Sequence, residues 1–81
     1  MTFSAEIKVM PLKELLDPQG KAVMSGLDSL GLKNIEDVRI GKHIVLKINA
    51  ETKEEAGLVA EEAAKKLLAN QVMEEFSVVI L

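Results

Sequence analysis

The chain has 81 residues and a net charge of −3, from 13 acidic and 10 basic side chains, and it contains no cysteine. That length suits a single domain, residues 1–81, with a thin core, since a chain this short buries only about 60% of its unfolded surface. Disulfides, thiolate metal ligands and a cysteine nucleophile are excluded. An acidic balance with Phe3 and Phe76 as the only aromatics argues against nucleic acid, which needs clustered cations and stacking side chains.

Residues 2–9 alternate, with Phe3, Ala5, Ile7 and Val9 on one face and Ser4, Glu6 and Lys8 on the other. Period two with one apolar face predicts a half-buried strand, ended by Met10-Pro11. Asp17-Pro18 supplies an N-cap and a first helical residue. Val23, Met24, Leu27 and Leu30 then recur at helical spacing before Gly31, which predicts a helix near 18–30. Alternation returns over 36–49. Val38 and Ile40 share one face, as do Ile44, Leu46 and Ile48, and Gly41-Lys42 between them suggests a hairpin turn of positive φ.

Thr52 followed by Glu55 is a capping-box pattern that starts a second helix. Its inner face, Ala56, Val59, Ala60, Ala63, Ala64 and Leu67, permits close approach to a sheet, and Asn70 is its expected stop. A last strand over about 74–80 places Phe76, Val78 and Ile80 on one face and Val79 on the other. The order βαββαβ predicts an α+β, ferredoxin-like fold: a four-stranded antiparallel sheet with two helices on one face. The bare face should carry Glu6, Lys8, Arg39, Val45, Lys47, Ser77 and Val79. The segments 36–41 and 74–80 become the expected sheet edges. Phe76, Val78, Val79 and Ile80, unguarded by Lys or Pro, are expected to pair with a second copy of the chain.

No catalytic constellation emerges. Gly20-Lys21 and Gly41-Lys42 lack the glycines and hydroxyl residue of a phosphate loop, and between Gly26 and Gly31 the spacing is right but Leu32 stands where lysine is required. His43, the only histidine, has no second histidine or cysteine with which to hold a metal. The serines 4, 25, 29 and 77 lack a nucleophile elbow. Glu61 and Glu62 pair with Lys65 and Lys66 at i,i+4 on a solvated helix face. The expectation is no catalytic residue, no metal and no cofactor on this chain. Met1–Glu6 carries no basic segment ahead of an apolar run, and no apolar stretch approaches the ~20 residues of a span. A cytoplasmic protein without membrane contact is therefore expected.

Three segments carry a family resemblance: Leu16-Asp17-Pro18-Gln19-Gly20-Lys21-Ala22-Val23, Val38-Arg39-Ile40-Gly41-Lys42-His43-Ile44-Val45-Leu46, and Leu67-Leu68-Ala69-Asn70-Gln71-Val72-Met73-Glu74. Together they resemble the PurS family, the small subunit of phosphoribosylformylglycinamidine synthase. The departures are a longer, less glycine-rich first loop (Pro11-Leu12-Lys13-Glu14) and His43 where an aromatic is common.

The resemblance implies a non-catalytic adaptor in purine biosynthesis. It would join itself, as a homodimer or dimer of dimers, to a large synthetase subunit, PurL, and a glutaminase subunit, PurQ. ATP, Mg and glutamine would be used by those partners, which convert formylglycinamide ribonucleotide to the amidine. Within the matched motifs, Asp17, Gln19, Gly20, Lys21, Arg39, Gly41 and Lys42 are expected to be structural or contact residues. The competing reading is a free-standing, small-molecule-binding regulatory module of the same fold. An acylphosphatase-like enzyme is disfavoured by Glu14 and Asp17 ahead of the first helix, where an anion-cradling loop would be needed.

Overall fold

The structure is a computed structural model describing residues 1–81. Its elements are β1 (Thr2–Pro11), α1 (Pro18–Ser29), β2 (Lys42–Asn49), α2 (Lys53–Ala63), a wider turn over Ala64–Leu68 that continues α2, and β3 (Glu74–Ile80). The strands form one antiparallel sheet in the order β2-β1-β3, with Ile7 of β1 opposite Ile44 on one side and Val78 on the other. Alternation places Ala5, Ile7, Val9, Ile44, Leu46, Ile48, Phe76, Val78 and Ile80 toward α2. The opposite face leaves Lys8, His43, Val45, Lys47, Ser77 and Val79 exposed.

The core is small, with ten of 81 residues buried and no polar side chain among them. Ala56, Ala60 and Ala64 are fully covered. Their small side chains form the stripe that brings α2 onto the sheet, whereas Val59 and Leu67, expected on the same face, are exposed. Thr52 caps α2 by accepting the Glu55 amide at 3.1 Å. At the far end the helix widens, and the Ala69 amide donates to the Ala64 carbonyl at 2.9 Å. Lys42 Nζ donates to the Leu68 carbonyl and Gln71 Nε2 to the Lys65 carbonyl, so both meet carbonyls that lack helical partners. Lys65–Glu61 and Lys66–Glu62 form the expected surface pairs at 3.3 and 2.6 Å.

Two expectations fail. The sheet has three strands, not four. Residues 36–41 form no ladder, and the hairpin expected across Gly41-Lys42 is absent. The backbone there has other partners: the Ile40 amide donates to Asp17 Oδ2 at 2.8 Å, and the Val38 carbonyl lies over Gly20. Gly41 has no positive φ, which occurs only at Gly31. A Cβ on Gly41 would overlap Val9 and Met10, so close approach to the end of β1 is what selects glycine. The second sheet edge is accordingly β2, and Arg39 leaves the open face for the first loop.

The second failure concerns α1, which makes no extended contact with the strands or α2. Only one helix covers the sheet. Helix α1 forms as expected, with Pro18 at its first position and the Asp17 carboxylate accepting the Gly20 amide at 3.1 Å. It ends in a left-handed glycine: the Leu32 amide donates to the Leu27 carbonyl and the Gly31 amide to Asp28. The chain then returns alongside it, and Leu32 and Ile35 line a shallow groove with Met24 and Lys21.

The result is an arm. A compact domain of this length would have a radius of gyration of about 12 Å, whereas this chain has 16.1 Å and measures 51 × 24 × 14 Å.

Candidate functional site

The motif residues singled out by the sequence meet where the arm leaves the sheet. The Asp17 carboxylate accepts two backbone amides, Gly20 on one oxygen and Ile40 on the other. These amides, Ile40 foremost, hold its carboxyl below the usual carboxylate range, and the Arg39 charge adds to them. A carboxyl so depressed favours the folded arrangement above its unfolded pKa and loses that contribution only as pH falls through the lowered value. The junction therefore stays ionised through the neutral range.

Arg39 closes the other side. Its Nη2 donates to the Pro11 and Leu12 carbonyls, both at 2.7 Å, and its Nη1 to the Lys13 carbonyl at 3.3 Å. Three successive carbonyls, from the last residue of β1 into the loop that follows it, thus converge on one guanidinium, a use of its fork that lysine cannot reproduce. Gly20 completes the junction. A Cβ there would overlap the Val38 carbonyl, so the return segment lies directly on the first turn of α1.

Asp17, Gly20 and Arg39 are thereby gathered into one structural clasp, while Gly41 lies against the end of β1 at Val9 and Met10. Gln19 and Lys21 are exposed beside the clasp, and Lys42 turns away to cap the end of α2. Next to the clasp, Pro11, Leu15, Leu16, Pro18 and Met73 line an open groove of about 340 Å³ rimmed by Gln19, Asn70 and Glu74. No group of three or more His, Asp or Glu side chains could hold a metal ion. His43 meets only Glu6, at 3.8 Å across the exposed face.

The remaining notable feature is uncovered apolar surface. On the arm, Val23, Leu30 and Leu32 are exposed, the last two at 78% and 49%, and Leu16 beside the clasp is exposed at 68%. Val23 and Leu30 recur at helical spacing in a helix expected to cover the sheet, and the period alone could not show that they stay uncovered. One signal was Gly26, a helix-weakening residue in the middle of α1. A Cβ at Gly26 would meet nothing within 4 Å, so no contact within this chain requires glycine there. Phe76, Val78 and Ile80 stand on edge strand β3, half-buried under α2, and Val79 faces outward.

Comparison with known proteins agrees with this geometry. Residues 4–81 match the family model for PurS, described as phosphoribosylformylglycinamidine (FGAM) synthase. The PurS subunit of phosphoribosylformylglycinamidine synthase from Bacillus subtilis is 35% identical over 74 residues, covering 91% of this chain and 87% of that protein. The Mycobacterium leprae PurS subunit is 40% identical over 74 residues, covering 91% and 90%. Among solved structures, PurLQS from Thermotoga maritima contains a chain with a TM-score of 0.91 at 32% identity, covering 100% of this chain and 99% of that one. B. subtilis PurS superposes with a TM-score of 0.88 at 33% identity, covering 98% of both. With its sheet, its arm and nearly its whole length matched, this chain belongs to the PurS family of phosphoribosylformylglycinamidine synthase subunits.

Proposed function

We propose that this chain is the non-catalytic adaptor of a cytoplasmic phosphoribosylformylglycinamidine synthase. It associates with itself and holds a PurL-type synthetase and a PurQ-type glutaminase together, so that ammonia released from glutamine reaches formylglycinamide ribonucleotide. ATP, Mg and glutamine are bound by those larger partners. The observation that carries the reading is the uncovered surface: α1 and its return segment expose leucines on an arm that makes no extended contact with the sheet or α2. Such a surface is ordinarily covered by a partner. The PurLQS structure of the T. maritima relative supports a three-component complex.

Self-association has two physical supports. β2 and β3 are unpaired on their outer edges, with Phe76, Val78, Val79 and Ile80 on the second of them. The arm adds an apolar surface of its own, with Gly26 permitting close approach. The rival reading, a free-standing module for a small ligand, finds less support. The grooves are open rather than enclosed, which suits a small ligand poorly.

In sedimentation at micromolar concentration the chain is expected to run as a dimer or a larger oligomer, and Leu30→Glu on the arm to shift it toward monomer. In gel filtration with the two larger subunits, the chain is expected to co-elute with both. A monomer that binds neither subunit contradicts the adaptor reading.

A further inference from the structure

Among the uncovered features, the groove beside Met73 and the open face around Val45 carry no sign of what occupies them. The junction at the base of the arm carries more. We infer that Asp17 and Arg39 are positioning residues whose clasp sets the direction of the α1 arm, and that assembly depends on this direction. The inference rests on the adaptor reading for its second half only.

The argument starts from what does not hold the arm. α1 makes no extended contact with the sheet or α2, so an interface of packed side chains does not fix its angle to the sheet. Its links to the rest of the chain run through 12–17 on one side and 36–41 on the other. Arg39 fastens the second connection to the first through the Pro11, Leu12 and Lys13 carbonyls. Asp17 fastens the first turn of α1 to the second connection through the Ile40 amide. Gly20 lets the Val38 carbonyl lie against that turn. These contacts cross-brace two connections that would otherwise be free to swivel. A surface presented on a swivelling arm would lose orientational freedom on every association, whereas a braced arm has already lost it.

The absence of cysteine gives a clean measurement. Spin labels at Ser29→Cys, at the end of α1, and Ser77→Cys, on the open face of β3, report the arm-to-sheet distance; both sites are exposed. Labelled chain is diluted into unlabelled chain to remove intermolecular distances. The unaltered background is expected to give one narrow distribution. Arg39→Ala and Asp17→Asn should each broaden it at least twofold, while amide-exchange protection of β1 is retained. Arg39→Lys should fail to restore the narrow distribution. Self-association of Arg39→Ala and its co-elution with the larger subunits should weaken at least tenfold.

Unchanged distributions in both variants would overturn the inference, as would a loss of β1 protection together with the arm, which would make the clasp a brace of the whole fold. A broadened arm with undiminished assembly overturns the second half. Failure of the unaltered chain to associate at all counts against the adaptor reading instead, and the distance measurement still decides the clasp.

Discussion

Ile7→Ala is expected to destabilise this chain by about 2–5 kcal/mol, the usual cost of emptying a closed apolar site. Ile7 lies in the central strand, fully covered, between Ile44 of β2 and Val78 of β3. It and Val9 are the largest fully buried side chains. Most of the remaining core is alanine, which cannot reach across to refill the space. A chain of this length has only about 4–12 kcal/mol of stability in total, so one substitution removes much of it. Thermal melts at a fixed chain concentration should show Tm falling by at least about 10 °C. A loss below about 1 kcal/mol would mean that the core is not centred on β1.

The second large effect comes from adding volume rather than removing it. Ala60→Leu adds volume where α2 meets the sheet, between Ala56 and Ala64, which are equally covered. Helix propensity hardly changes between Ala and Leu, so the cost isolates packing and should be about 1–3 kcal/mol. The same residue change in reverse at Leu58, which is 69% exposed on the outer side of α2, should stay within about 0.5 kcal/mol. Denaturant titration of the two variants makes the comparison. Equal effects would contradict the placement of the alanine stripe against the sheet.

Local chemistry was the legible part of this fold. Asp17-Pro18, Gly31, Thr52 with Glu55, and the alternation of β1 and β3 each act within a few residues, and all hold in the structure. The failures are tertiary. Val38 and Ile40 alternate as a strand would, yet the amide of Ile40 is committed to a carboxylate 23 residues earlier, which alternation does not report. The apolar stripe of α1 has the period of a core helix. Period shows that a face is to be covered, but not whether this chain or another covers it.

The candidate site followed the same division. The motifs named Asp17, Gly20 and Arg39 without saying that they meet. Only the structure brings them into one clasp, and only the clasp explains why a loop so poor in regular structure needs an arginine.

The central claim is that this chain contributes surfaces and no chemistry. The measurement that tests it most directly is synthase activity of the two larger subunits, with and without this chain, first with glutamine and then with free ammonia as nitrogen donor. The account predicts that glutamine-dependent turnover requires the chain and ammonia-dependent turnover largely does not. Equal glutamine-dependent rates in its absence would contradict it.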